Sequence, residues 1–371
     1  LTAAPGSPLH NSADEIDYIT GDMGANTQRS LLVFDFIMNG DLDWEIDGNA
    51  VAFAAGLQYR QDDVTNKNYG DARCADNKPC QPELHFLPMT YDSANENKNY
   101  AFFGEVSLPV SENLDVDLGV RYEDYDVDDI TVPKISAFYK MSDTLALRAS
   151  YEEVFRTPII PNAIDTSLER VYGEYYEVQT PIPTDLQPES SDNINLGLIW
   201  TPVDGMRVNL DYYSLDMVDP IGKVSTTSPL AVYNCADGTS YNPPAAKPDS
   251  CNLINITTAA INGEGIETDG LDFQMMYDFE TSMGQAQVGF NGVYLLNYDI
   301  GGCLTADCDK YDAAGKYNTR ATGSPIRVRS MPELKMNFMA SLFNGPHYVR
   351  AFVRYVSDYD VADSFANAGA F

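Results

Sequence analysis

Along most of the chain, apolar residues occupy every second position. Between 114 and 122 they are Leu114, Val116, Leu118, Val120 and Tyr122, with Asp115, Asp117, Gly119 and Arg121 in the places between. A period of two predicts an extended strand with one apolar and one polar face. Leu145, Leu147, Ala149 and Tyr151 repeat it against Ala146, Arg148 and Ser150, until Phe155-Arg156-Thr157-Pro158 breaks the run. The same alternation predicts strands at about 30–38, 51–60, 102–108, 132–141, 194–200, 206–212, 271–277, 288–294, 334–342 and 349–355. Residues 1–28 show no period and read as the tail of a loop, and residues 360–371 do not alternate either.

About twelve strands of roughly ten residues each have the length that a tilted strand needs to cross a bilayer. Their connections are read as alternating strictly between short turns, such as Asp204-Gly205 and Asn344-Gly345, and long polar loops at 61–98, 156–191, 219–264 and 301–324. A membrane barrel puts short turns on the periplasmic side and long loops outside. Tyr59, Tyr122, Tyr151, Trp200, Tyr212, Tyr277, Tyr294 and Tyr355 stand near strand ends and are expected to form one aromatic girdle. The polar faces weigh against a secreted β-sandwich adhesin, because they would fill its core with unpaired charge. In a barrel the same residues face a wet lumen and the apolar face meets lipid. Candidate lumen-facing residues are Asp115, Asp117, Arg121, Arg148, Asn195, Arg207, Asp272, Arg350 and Arg354.

The longest clean apolar run, 51–57, is too short for a membrane helix. Leu1 is no initiator Met and no signal-peptide pattern follows it, so the chain reads as a piece truncated at both ends. Lys plus Arg number 23 against 55 Asp plus Glu, a net charge of −32 that repels phosphate backbones and excludes nucleic acid as an expected partner. The acidic blocks read as solvated loops. Asp124, Asp126 and Asp128 open like a calcium loop, but Asp129 stands where Gly is needed and Ile135 where the bidentate Glu belongs. Six cysteines form three close pairs, Cys74 with Cys80, Cys235 with Cys251 and Cys303 with Cys308, which are disulfide candidates in an oxidising compartment. Zinc spacing is absent, the three histidines are scattered and no Gly-x-Ser-x-Gly elbow occurs, so no metal, cofactor or catalytic residue is expected and the chain does not read as an enzyme. The lumen arginines are expected to pair with carboxylates such as Asp115, Asp117 and Asp211 rather than to hold an anionic ligand.

Several segments resemble a known family. Ser150-Tyr151-Glu152-Glu153-Val154-Phe155-Arg156-Thr157-Pro158 is similar to a Ser-Tyr-Gly-Glu-Ala-Phe-Arg-Ala-Pro segment of the TonB-dependent outer-membrane receptors, departing at Glu152, Val154 and Thr157. Leu186-Gln187-Pro188-Glu189-Ser190-Ser191, leading into Leu196-Gly197-Leu198, resembles the family's Leu-x-Pro-Glu-x-Ser run. Asp211-Tyr212-Tyr213, Asp219-Pro220-Ile221, the Asn262 and Gly270-Leu271-Asp272 positions, and Gly56-Leu57-Gln58-Tyr59-Arg60 fit further landmarks in family order. The structural motif residues carried over are Ser150, Tyr151, Phe155, Arg156, Pro158, Pro188, Glu189, Ser191 and Gly197.

The resemblance implies about twelve of the 22 strands of a plugged Gram-negative outer-membrane barrel, over residues 1–371, with no plug domain and no energy-coupling box. It implies active uptake of a large scarce nutrient, such as a siderophore-bound metal, a cobalamin or an oligosaccharide. Partners would be outer-membrane lipid and, through the missing N-terminal plug region, the TonB complex. Ligand capture would fall to the disulfide-braced loops. The alternative is a complete twelve-stranded passive pore, or a barrel anchoring an exported domain, in which the first strand pairs with the twelfth.

Overall fold

The computed structural model describes residues 12, 23–70, 92–125, 128–157, 164–172, 174–181, 183, 186–224, 226, 228, 230–243, 249–263, 265–301, 311–317 and 331–361. Among them the regular structure is entirely β. Twelve long strands form the wall: β1 Met23–Ile46, β2 Asn49–Gly70, β3 Ser93–Ser111, β4 Leu114–Tyr125, β5 Asp129–Ser142, β6 Leu145–Arg156, β7 Glu189–Trp200, β8 Met206–Val218, β9 Ile266–Thr281, β10 Gly284–Ile300, β11 Leu334–Asn344 and β12 His347–Val356. Each pairs antiparallel with the next in chain order, and β1 and β12 are the two edges of the sheet. The described residues do not pair those edges with each other, as a self-closed twelve-stranded pore requires. The fold is part of a barrel wall.

Side-chain exposure shows which way the wall faces. Phe102 (56% exposed), Val120 (52%) and Leu196 (52%) lie on the apolar face, whereas Glu123 and Asp211 (7% each) lie on the polar one. A protein that exposes its oily face and shelters its charged face is inverted relative to a water-soluble sandwich, and suits hydrocarbon outside with a polar lumen within. Because period-two pairing keeps cross-strand partners on one face, the register carries this division around the sheet.

Four expectations change. Residues 23–28 of the expected loop tail join the strand at 30–38 in one strand, β1, paired with β2 from Met23↔Gly70 to Ile46↔Asn49. The loop at 61–98 shrinks likewise, since β2 runs to Gly70 and β3 starts at Ser93. These upper ends are polar on both faces and so show no hydrophobic period, yet the backbone ladder continues through cross-strand polar contacts such as Thr27 Oγ1 to Asn66 Oδ1 at 3.1 Å. The strict alternation of short and long connections fails between β4 and β5, which residues 126–128 join. Finally, the girdle has two levels. Trp200 ends β7 beside a short turn and Tyr277 pairs with Met206 at that same end, whereas Tyr122, Tyr294 and Tyr355 lie toward the loop ends.

Turn chemistry closes the hairpins. Asp47 and Gly48 both have positive φ, 53° and 75°, as a tight two-residue hairpin requires. At Gly205, φ is +81° and a Cβ would stand 2.2 Å from the Asp278 carbonyl oxygen, so only glycine lets that turn lie against β9.

Candidate functional site

The long connections fold as well. Residues from the β6–β7 and β8–β9 connections together build a second sheet of five strands, in the order Ser240–Tyr241, Val232–Cys235, Leu253–Thr257, Glu174–Pro181 and Ile164–Val171. The join between the two connections is parallel, pairing Asn255↔Glu177, Ile256↔Val178 and Thr257↔Gln179. One face carries the core: Tyr176, Val178, Tyr233, Cys235, Leu253 and Ile256 are buried together with Ala231 and Cys251. Cys235 and Cys251 are disulfide-bonded inside it, with Cα atoms 5.1 Å apart. Cys74, Cys80, Cys303 and Cys308 lie outside the described residues.

Polar side chains fasten this rim sheet. Thr180 and Thr258 share a hydroxyl contact of 2.7 Å, Thr226 donates to Glu169 at 2.7 Å, and the Tyr233 hydroxyl donates to the Thr226 carbonyl at 3.0 Å. Burial pushes the Tyr233 phenol up from its ordinary value. Glu177 is 5% exposed, and its desolvation raises the carboxyl pKa against the opposing effect of the hydrogen bond from Gln179.

A collar of motif residues joins the rim to the wall. Arg156, at the end of β6, pairs with the buried Glu189 at the start of β7. Glu189 also accepts the Ile221 backbone N–H at 2.6 Å. Asn262 accepts the Gln187 N–H at 2.8 Å and donates to the Gln187 and Asp219 carbonyls at 2.9 and 2.8 Å. Two side chains thus hold the end of one connection against both ends of the other. Leu-x-Pro-Glu, Asp-Pro-Ile and the Asn262 position, separate in sequence, converge here; Pro188 lies between Gln187 and Glu189.

Next to Arg156 of the collar, a cavity of about 530 Å³ opens on the polar face of β1–β4 and β6. Arg29, Arg60, Arg121 and Arg156 line it with Asp62, Glu123 and the amides of Asn95, Asn97 and Asn99. Arg29 pairs with Asp62, and Arg60 stands 3.7 Å from the same carboxylate. Arg121 pairs with Glu123 on its own strand, and Glu123 also accepts from Asn99 at 2.9 Å. Arg156 belongs to both cavity and collar. A ligand that presents oxyanions or hydroxyls would find donors here by rearranging existing pairs.

The nine residues expected to face the lumen register on the polar face. Arg148 makes a two-pronged bond to Asp211, at 2.8 and 2.7 Å. Gly197 lies between them in the register, and a Cβ there would come within 2.1 Å of the Asp211 carboxylate and 2.5 Å of Arg148 Nε. The motif glycine is therefore a passage for an ion pair that crosses a strand. Asp117 does not take an arginine; it accepts the Ser107 and Ser136 hydroxyls at 2.7 and 3.0 Å. Asn195 pairs in register with Ser150 and Tyr213, while Asp272 lies opposite Asp211. Arg350 donates to Ser341 at 3.1 Å and Arg354 sits over the Phe352 ring. Asp115 and Arg207 lie near the short turns, away from the cavity. Among the motif residues, Tyr151 donates to Glu153 and Asp192, Phe155 meets the Tyr125 ring edge-on at 6.0 Å, and Ser191 donates to Asn193. Pro158 lies outside the described residues. Asn262, the rim strands and the cavity residues Arg29, Arg60 and Asn95 were missed as a site, because only long-range pairing brings them together.

The family model described as TonB dependent receptor-like, beta-barrel matches residues 3–371. The chain belongs to the TonB-dependent receptor β-barrel family. Solved receptors share the fold: the ferric enterobactin receptor of Pseudomonas aeruginosa in complex with enterobactin (TM-score 0.62, 15% identity, 89% of this chain and 42% of that one), the siderophore receptor PirA of Acinetobacter baumannii (0.58, 15%, 90% and 44%) and the alcaligin outer-membrane receptor FauA of Bordetella pertussis (0.51, 14%, 91% and 47%). The chain thus spans less than half the length of these receptors. No curated protein matches it. TonB-dependent receptor barrels are outer-membrane proteins of Gram-negative bacteria, and the family comprises receptors and transporters.

Proposed function

We propose that this chain supplies part of the barrel wall and the ligand-capture rim of an outer-membrane importer for a large scarce nutrient. A metal-carrying siderophore is favoured over a cobalamin or an oligosaccharide. The observation that carries this reading is the arginine- and amide-lined cavity that shares Arg156 with the collar of family motif residues. Guanidinium and amide donors suit the oxyanions and hydroxyls of a metal chelate, and the solved receptors of this fold include ones described as siderophore receptors. The apolar outer face meets outer-membrane lipid. Energy comes from TonB acting on an N-terminal plug region outside residues 1–371.

The test is uptake by the full-length protein in cells lacking other receptors of this class, fed iron-loaded catecholate and hydroxamate siderophores, a cobalamin and an oligosaccharide in turn. Uptake of one iron chelate that stops when the inner-membrane proton gradient is collapsed supports the proposal. Equal leakage of all four regardless of the gradient would instead identify a passive pore.

A further inference from the structure

The apolar face of the wall has a dent in it. Ala137 and Ala149 oppose each other across β5 and β6, between the bulkier pairs Ile135↔Tyr151 above and Tyr139↔Leu147 below. A groove of about 400 Å³ opens over the two alanines and continues past Leu198 and Tyr212 to Leu271 on β9. Apart from its floor, every lining residue registers on the apolar face. The floor is the register pair Arg148↔Gly197, and the Arg148 guanidinium is held on the opposite, polar face by Asp211.

Carboxylates stand directly above the groove on the same face. Four residues up each strand from Ala149, Leu196 and Tyr212 come Glu153, Asp192 and Asp216, which are direct cross-strand partners. The Tyr151 hydroxyl lies 2.9 Å from Glu153 and 2.8 Å from Asp192, and among the described residues no Lys or Arg forms an ion pair with any of the three acids. Like charges directly opposite each other on neighbouring strands are destabilising, so a cation at this level would relieve them. The step from groove to acids is about 13 Å along the strand at roughly 3.3 Å per residue, or about 10 Å of depth at a barrel strand's tilt of about 40°. That is within the roughly 15 Å of one hydrocarbon leaflet, half of a core about 30 Å thick.

We infer that β5 to β8 carry a lateral site for one membrane lipid with an ammonium-bearing headgroup. An acyl chain lies in the groove over Ala137 and Ala149, and the ammonium donates to Glu153, Asp192 and Asp216. The inference rests on the reading that the apolar face meets lipid. The groove alone would admit any acyl chain; the row of acids selects the headgroup, because it attracts an ammonium and repels an anionic lipid.

The full-length protein, with every native tryptophan replaced by phenylalanine, is reconstituted into phosphatidylcholine vesicles that contain an equal mole fraction of either phosphatidylethanolamine or phosphatidylglycerol with brominated acyl chains. Bromine quenches tryptophan on contact, and a chelator keeps divalent cations from bridging carboxylate to phosphate. Leu198→Trp reports the groove and Phe338→Trp, on the apolar face of β11, reports the wall away from it. The expected result is that brominated phosphatidylethanolamine quenches the tryptophan at 198 more deeply than brominated phosphatidylglycerol does, while the two quench alike at 338. Combining Glu153→Gln, Asp192→Asn and Asp216→Asn should abolish the preference at 198, and Ala149→Leu, which fills the groove, should lower quenching there to the level at 338. Equal quenching by the two lipids at 198, a preference for phosphatidylglycerol, or a preference that survives the loss of the three acids overturns the site. Quenching at 338 with none at 198 also overturns it, since the groove would then be covered by something other than lipid. No quenching at 338 overturns the lipid-facing wall itself. Circular dichroism of each variant verifies that the barrel has formed.

Discussion

The wall and the rim sheet are built from the same kinds of residue in opposite senses. In the wall the aliphatic side chains are exposed and the carboxylates sheltered, with Leu196 half in the open and Asp211 buried beneath Arg148. In the rim sheet Ile256 is fully buried in a compact core around a disulfide, as in any small water-soluble domain. Exposure of an apolar residue therefore means different things a short distance apart. On the wall it belongs to the face that we propose meets hydrocarbon, and on the rim it marks the surface.

The sharpest way to break this contrast is one substitution at two sites of similar exposure. Leu196→Arg, in the middle of β7, is expected to destabilise the folded barrel by about 2–4 kcal/mol if it faces the bilayer core. Ile254→Arg, on an exposed position of the rim, should lie within roughly 0.5 kcal/mol of the parent. Heat-modifiable mobility on gels measures the folded fraction of each in vesicles. Equal effects would erase the distinction between the two surfaces.

Next in size is the disulfide. Cys235 and Cys251 are separated by 16 residues, so replacing both by Ser should remove roughly 3 kcal/mol from the rim sheet on the chain-entropy estimate. The wall should be untouched, because no wall strand crosses that loop. Proteolysis should cut within residues 219–265 of the variant while the barrel band persists. Loss of the barrel together with the rim would show that the two fold as one unit.

A smaller effect is expected at the collar. Asn262→Ala removes three hydrogen bonds that tie Gln187 and Asp219, and leaves two carbonyls and one N–H to water; about 1–3 kcal/mol is expected. Ligand affinity of the full-length protein should fall through faster dissociation, with barrel folding unchanged. A variant that binds as the parent does would detach the collar from ligand capture.

These elements differ in how plainly the sequence shows them. The wall is legible because a half-solvated strand repeats with period two, and short turns and long loops separate runs such as Leu114 to Tyr122. The upper ends of β1 to β3 are hidden because Asp62, Asn66 and Asn97 stand among residues solvated on both sides, which erases the period while the backbone ladder continues. The rim is hidden for another reason. Its strands are as short as two residues, and the parallel pairing of Glu177 with Asn255 joins segments 78 residues apart, so no local pattern announces it. Gly197 stands between these cases: its place in a motif can be read, whereas its reason, the clearance that Arg148 needs to reach Asp211, appears only in three dimensions.

The smallest predicted effect separates rim from wall by pH. Glu177 is buried in the rim, and desolvation holds its folded pKa above the unfolded value. Such a carboxyl binds more protons in the folded state, so its neutral form favours folding. That contribution is fully present below the unfolded pKa and is lost as pH rises through the folded pKa. The rim should therefore become more resistant to proteolysis and hydrogen exchange as pH falls from neutral to mildly acidic. Glu177→Gln should flatten this dependence and hold the resistance at its acidic level, because the amide keeps the shape and needs no charged state. If Gln leaves the slope intact, another group governs the titration and the buried carboxylate of the rim is compensated by its hydrogen bond from Gln179. Glu177 belongs to the rim sheet, so barrel folding measured on the same variant should stay unchanged.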